Sequence, residues 1–403
     1  MKLALDAEAA LLVTCARCTF DDSQRADIRA VLERGVDWQR VLALAGKNYV
    51  LPLVFESLTG DLQNLVPAAA YLQLATQRKF LKFRAELFYD ELIRLSGLLE
   101  SSGITVLHYK GPLASELLYG DRYRRTYFDL DFLVRYEDLA EVSRLLRNEG
   151  YRCELNLEKD SLEHFEREQK EYAFVSGLIC VEPHWSLTAR RYPFPIDYSS
   201  LWKRAVVHDL GTAKLRTFSS ADMLPILSVV GAKGKWKRLQ MVTDVAQFYR
   251  SMDAALAQPV LDHALSLGCE RILLVGAHLA EVLLEAPIPT AIRARLDEDR
   301  TAVERISRRV IAHLFMPKAQ RPPLLGDSGH VFSPLLFRMR ERRRDRLTYL
   351  LRTTTTPTHV HLHRFPLPKW AYPAYRLIVP MHDYLVMPVV HGVRALLRPL
   401  RSS

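Results

Sequence analysis

Residues 127–134 carry two aspartates, Asp129 and Asp131, two positions apart in an otherwise apolar run of Tyr127, Phe128, Leu130, Phe132, Leu133 and Val134. The run reads as a strand, because aromatic and branched side chains suit a pleated, half-buried surface. Strand side chains alternate between two faces, so Asp129 and Asp131 share one and Phe128, Leu130, Phe132 and Val134 take the other, a core face. Two like charges so placed repel unless something positive neutralises them. A hard divalent cation does this economically, since Mg²⁺ takes carboxylates and keeps positions open for water and phosphate. The pattern therefore points to a metal and nucleotide site, while two chance aspartates on a solvated strand face is the plain alternative. The flanking sequence decides between them.

Upstream, residues 104–109 are mostly branched and apolar, Lys110 and Gly111 break the run, and residues 112–119 read as a short helix with Pro112 at its first position. Strand, glycine turn and helix start together direct backbone N–H groups and the positive end of a helix dipole at an anion, and glycine lets a phosphate approach closely. Lys110 adds a cation. Downstream, residues 172–185 read as a hairpin turning at Ser176 and Gly177, whose second arm carries Glu182 and His184 on one face. Glu182 supplies a third carboxylate; His184, beside Trp185, either assists the site or is structural.

Carried on Lys110 and Gly111, on Leu118 to Asp121 with Arg125, on the Asp129–Asp131 strand, on Glu149 to Tyr151, and on Glu182, His184 and Trp185, the chain resembles the uncharacterised nucleotidyltransferases of the broad superfamily of kanamycin nucleotidyltransferase and DNA polymerase beta. Residues 231–239 with Asp244 look like that family's helical domain, and Thr356 to Thr358 with Leu367 and Pro368 like its tail. The resemblance implies an enzyme that moves a nucleoside monophosphate from an NTP such as ATP to an acceptor and releases pyrophosphate. It implies Mg²⁺, with Mn²⁺ as the alternative, on Asp129, Asp131 and Glu182. Glu182 would complete the metal site or draw the acceptor's proton, and Lys110 and Gly111 would hold the β- and γ-phosphates. Arg125, Lys233 and Lys235 are further nucleotide-binding candidates, the two lysines lying with Lys237 and Arg238 around a core Trp236 on a helix whose basic side chains would close over the triphosphate; Asp244 is either a substrate contact or a helix-cap partner. The chain departs from the superfamily in carrying Pro112 where serine usually follows the glycine, so a hydroxyl contact to phosphate is missing, and in its longer interval from Gly111 to Asp129.

The expected fold is α+β, a small mixed-sheet nucleotidyltransferase core flanked by N-terminal and C-terminal helical parts. Residues 1–100 show helical periodicity, 101–217 alternate strands with helices as the catalytic core, 218–316 form a helical domain with Ser220 or Asp222 as N-cap, and 317–403 a basic, proline-containing tail. Helices are expected at 136–148, 239–250, 256–267, 270–285 and 298–315, with a proline- and glycine-rich loop at 317–335. With 403 residues and 49% apolar content, the chain can bury an ample core in two or three domains. Five irregularly spaced cysteines argue for a reducing compartment, and no basic-then-apolar leader opens the chain, so a cytoplasmic protein is expected. The lone pair Cys15 and Cys18 reads as packed thiols, because a structural zinc needs four ligands. Residues 377–397 are apolar but interrupted by His382, Asp383, two prolines and Arg394, too broken to span a bilayer.

The net charge of +10 is uneven: residues 301–403 hold 18 Lys and Arg against 5 Asp and Glu, hence +13 there and −3 elsewhere. The densest cluster, Arg338, Arg340, Arg342 to Arg344 and Arg346, is either a solvated helix face or a surface for something acidic. No RNA- or DNA-reading motif appears, and no hydrolase elbow, Walker P-loop or dinucleotide fingerprint. The acceptor, acidic or hydroxyl-bearing, stays open among sugar, small metabolite, peptide and protein. Two rivals stand: terminal nucleotide addition to RNA, favoured by the basic tail, and a non-catalytic nucleotide-binding scaffold, favoured by Pro112. Three gathered carboxylates speak against the second.

Overall fold

Aspartates open the first helices. In the computed structural model, which describes residues 5–155, 157, 159–316 and 332–387, Asp6, Asp21 and Asp37 accept first-turn N–H groups at the starts of α1 (Ala7–Cys15), α2 (Asp22–Arg34) and α3 (Trp38–Lys47). Proline marks the starts of α4 (Leu51–Ser57) and α5 (Ala68–Ser101). At 34 residues α5 is about 50 Å long.

The sheet region follows as β1 (Leu107–His108), α6 (Gly111–Tyr119), β2 (Leu130–Leu133), α7 (Leu139–Asn148), β3 (Arg152–Cys153), α8 (Lys159–Glu168), β4 (Phe174–Ser176) and β5 (Ile179–His184). Its five strands lie in the order β1-β2-β5-β4-β3. β2 runs parallel to β5, and the other neighbours are antiparallel. A short helix α9 (Tyr198–Lys203) leads to a separate hairpin, β6 (Val206–Asp209) and β7 (Lys214–Thr217). Helices then take over: α10 (Ser220–Lys233), α11 (Leu239–Ser251), α12 (Ala257–Ser266), α13 (Glu270–Leu284), α14 (Thr290–Glu298), α15 (Arg300–Phe315), α16 (Pro334–Met339), α17 (Arg343–Thr355), α18 (His359–Arg364) and α19 (Tyr375–Met381). This is the expected α+β fold, a mixed sheet with helical flanks.

Two apolar cores cross the chain's linear order. One joins α1–α4 and the start of α5 (Ala70, Leu74) to α10–α16; the other joins the rest of α5 (Ala85 to Leu99) to the sheet, α7, α8 and α19. β2 lies between them, with Leu130 and Phe132 in the second core and Leu133 in the first. Alternation places Asp131 on the first-core side, toward α10 and α11.

Several expectations are corrected. β2 begins at Leu130, so Asp129 stands just before the strand, and Phe128 is 37% exposed instead of facing the core. The strand expected over 104–109 is reduced to β1. Ser219, not Ser220 or Asp222, caps α10 with its hydroxyl, because the chain at Ser219 is still extended. α14 was not anticipated; it is short and strongly charged. Lys235, Trp236, Lys237 and Arg238 are not on a helix: α10 ends at Lys233, and Lys235 and Trp236 adopt left-handed backbone (φ 57° and 50°). That turn drops the Trp236 ring, fully buried as expected, against Gly231 and Gly276. Within the arginine cluster, Arg340 is buried, its guanidinium 3.9 Å from the Phe194 ring centroid and donating to the Pro193 carbonyl at 2.7 Å, whereas Arg342, Arg343 and Arg344 are exposed. Cys15 and Cys18 are free thiols, and burial pushes Cys15 up to about 12. Residues 317–331 of the expected loop and 388–397 of the broken apolar run lie outside the described residues. Among those described, no helix is long and apolar enough to cross a membrane.

A Cβ added at Gly231 would lie 2.5 Å from the Trp236 ring. Gly231→Ala gains about 1 kcal/mol of helix propensity, but overpacking costs about 1–3 kcal/mol. The expected net result is a lower midpoint in urea unfolding; an unchanged or raised midpoint would show that the Trp236 ring is free to move.

Candidate active site

Parallel pairing of β2 with β5 sets Asp131 opposite Glu182 and Leu133 opposite His184. An antiparallel bridge from Glu171 to His184 brings a fourth acidic residue to the same place from the segment before β4. The imidazole of His184 is wholly buried, and its Nε2 lies 2.8 Å from Asp131 Oδ1, 3.0 Å from Glu171 Oε2 and 3.7 Å from Glu182 Oε2. On its other side, Nδ1 is 3.2 Å from Lys170 Nζ, and Tyr109 packs edge-on against the ring.

Lysines balance this acidity. Lys110 Nζ is 2.6 Å from Asp131 Oδ1, and Lys170 pairs with Glu171. Burial opposes the charge of Asp131, but Lys110 and the His184 hydrogen bond outweigh it and hold that carboxyl well below the usual range. For Asp129 the Lys110 charge is too weak to do the same. Burial, with the charges of Asp131 and Glu182, pushes its carboxyl up to about 7. Burial, together with Lys233 and Lys110, pushes Lys170 well down, and burial and Lys110 bring Lys233 to about 8. Burial lowers His184 too, which keeps the ring neutral at pH 7.

Asp131 is 3% exposed and its Oδ2 has no hydrogen-bond partner. Asp131, Glu171, Glu182 and His184 each offer one ligand atom, all within 4.8 Å of one another. Oxygen and imidazole donors at that spacing, with one buried oxygen unspent, fit a divalent ion. Asp129 lies beside this group. A second group, His361, His382 and Asp383, also leaves one buried oxygen, Asp383 Oδ2, without a partner, but His361 Nδ1 accepts the Thr358 N–H at 3.1 Å and Nε2 meets Asp383 Oδ1 at 3.0 Å, so that imidazole is already spent on tying α18 to the end of α19.

Beside the carboxylates opens a cleft of about 230 Å³, lined by Lys110, Asp129 and Asp131 together with Tyr49, Phe128 and Arg238. Gly111 opens α6 at φ 60°, with room for a Cβ only at contact distance from the Asp129 carbonyl. Arg125 lines the cleft but is committed to Asp244, at 3.0 Å from Nε and 3.1 Å from Nη2, and Tyr119 donates to the same carboxylate at 2.6 Å. Asp244, which also lines the cleft, anchors Arg125. Lys233 ends α10 near Lys170; Lys235, two residues on, does not line the cleft.

The strand spacing thus brings Lys110, Asp129, Asp131, Glu182 and His184 together. It missed Lys170 and Glu171, which lie in a polar stretch without periodicity and arrive only through the bridge to His184. It also missed Tyr49, which neighbours the strand only in three dimensions, while Arg238, expected on a helix closing over the triphosphate, reaches the cleft from the turn after α10.

The raised pKa of Asp129 has a thermal consequence. Below about pH 4 its carboxyl is protonated in folded and unfolded chains alike; as the pH rises toward 7 the unfolded chain ionises first, and folding loses free energy. Without added metal, Asp129→Asn should melt higher than wild type at pH 8 and at the same temperature near pH 4. Equal melting temperatures at pH 8 would mean that the carboxylate is neutralised by its neighbours.

A family model for uncharacterised nucleotidyltransferases matches residues 34–285, from the last residue of α2 through α13. No match was found among curated proteins or solved structures.

Proposed function

The chain belongs to this nucleotidyltransferase family, and from that premise we propose that it transfers a nucleoside monophosphate from an NTP to a hydroxyl-bearing acceptor with the help of a divalent ion, Mg²⁺ in the first place and Mn²⁺ in the second. The observation that carries the reading is the β2–β5 register, which sets Asp131 beside Glu182 with Asp129 at the open end of the strand. Asp129, Asp131 and Glu182 would hold the metal, which when bound screens the triphosphate and polarises the phosphoryl group being transferred.

The chain's own groups do the rest. Lys110, paired with Asp131 at 2.6 Å, would hold the β- and γ-phosphates. The first turn of α6, opened by Gly111 in a left-handed conformation, offers N–H groups and the helix dipole to the same phosphates. Pro112 takes away one donor there, and Lys233, near the cluster, adds positive charge. Glu182, half-buried at the cluster's edge, is placed to draw the proton from the acceptor hydroxyl. Arg125, held by Asp244, contributes a fixed positive charge to the cleft wall. A cytoplasmic location suits five free thiols and an NTP substrate.

The exposed Arg342, Arg343 and Arg344 favour an acidic acceptor or partner, and keep terminal addition to RNA as a second reading. RNA binding that falls steeply with salt would support it.

Incubated with labelled NTPs, Mg²⁺ and a pool of candidate acceptors, the protein should release pyrophosphate. Asp131→Asn should lower that rate by about a hundredfold or more, as for loss of a major electrostatic contact. Activity within a few-fold of wild type would remove Asp131 from the metal site. Glu182→Gln should cut turnover much more than NTP affinity; equal losses in both would make Glu182 structural.

A further inference from the structure

In the cleft that Asp129 and Asp131 line, Tyr49 sits in left-handed backbone at φ 61°. A bulky side chain adopts that conformation rarely, and such strain persists only where the surroundings impose it. Here they do. The neighbouring Asn48 is buried, its Oδ1 accepts the Leu239 N–H at 3.0 Å and its carbonyl accepts the Gln240 N–H at 3.1 Å, so the turn between α3 and α4 is clamped to the start of α11. The clamp aims Tyr49 at Phe128, with ring centroids 5.1 Å apart and planes tilted by 53°.

Phe128 is the second anomaly. It directly precedes Asp129, and strand alternation would bury it, yet it is 37% exposed in the cleft. Two guanidinium groups flank the aromatic pair: Arg238 lies 3.9 Å from the Tyr49 centroid and Arg84 lies 4.5 Å from that of Phe128. A strained tyrosine, a half-open phenylalanine and a planar cation, all within one cleft with Lys110, Asp129 and Asp131, make a wall suited to a flat π-system whose tail is anionic.

We propose that Tyr49, Phe128 and Arg238 form the seat of the nucleobase of the NTP, so that the N-terminal helices supply part of the substrate site. The proposal rests on the nucleotidyl-transfer reading and adds where the base lies. Stacking on rings and guanidinium reads the face of a base and tolerates its edge, so different NTPs should be held with similar affinity. The triphosphate then points from this wall toward Lys110 and the carboxylates.

The test separates base from phosphate. Binding of ATP and of inorganic tripolyphosphate, each with Ca²⁺ in place of Mg²⁺ to prevent turnover, is measured calorimetrically for the full chain and for Phe128→Ala. Phe128→Leu serves as a second probe that keeps apolar volume and removes the π-face. Phe128→Ala and Phe128→Leu should each weaken ATP by about tenfold while tripolyphosphate changes by less than about twofold, the size expected for one lost stacking contact. Equal weakening of both ligands, or none for ATP, would overturn the seat and leave nucleotidyl transfer standing. A wild-type chain that binds neither ligand would overturn the transfer reading and the seat with it.

Discussion

Asp131 is a buried carboxylate on a central strand, and the centre of the molecule is arranged around making that tolerable. An isolated charge at 3% exposure would be driven to its neutral form. Here Lys110 comes from the turn between β1 and α6, and His184 from the neighbouring parallel strand, and both reach the same oxygen. The glycine turn and the parallel register are thus joined to the charge by direct contact. The other oxygen is left unspent, and burial pushes the neighbouring Asp129 carboxyl up to about 7. A buried ion pair of this kind is weak ground for stability and better ground for function.

The sheet alone does not enclose this site. β2 is buried on both sides because two different cores meet there, and the one on the Asp131 side is built from the first helices and from α10–α16. The long helix α5 takes part in both cores. This gives the N-terminal helices a positional role, since the clamp from Asn48 to the start of α11 fixes one wall of the cleft at a set distance from the carboxylates.

The turn after α10 shows how packing reshapes a basic stretch. Lys233 to Arg238 is rich in helix-forming cations, yet the helix stops because Trp236 finds a slot against Gly231 and Gly276 that only left-handed backbone at Lys235 and Trp236 can reach. Burying an indole is worth more than continuing one turn of helix. The same turn delivers Arg238 to the cleft and leaves Lys235 off it. Arg340 makes a similar point in the tail, where a residue that reads as surface charge is an interior strut over Phe194.

What the sequence determined by itself is local. The alternation around Asp129 and Asp131, the break at Lys110 and Gly111, and the hairpin carrying Glu182 and His184 each follow from a period of two or a turn residue, and they placed five of the residues that meet at the site. The helical flanks were legible from their three- and four-residue spacing, save for α14 and the start of α10 at Ser219, while the strand expected over 104–109 shrank to Leu107–His108. Tertiary structure decided everything that depends on which surfaces meet: the bridge that brings Lys170 and Glu171 to His184, the Asp244 anchor that occupies Arg125, the exposure of Phe128 and the strained backbone of Tyr49. None of these has a signature along the chain, because each is set by a neighbour tens or hundreds of residues away, through contacts that periodicity does not encode.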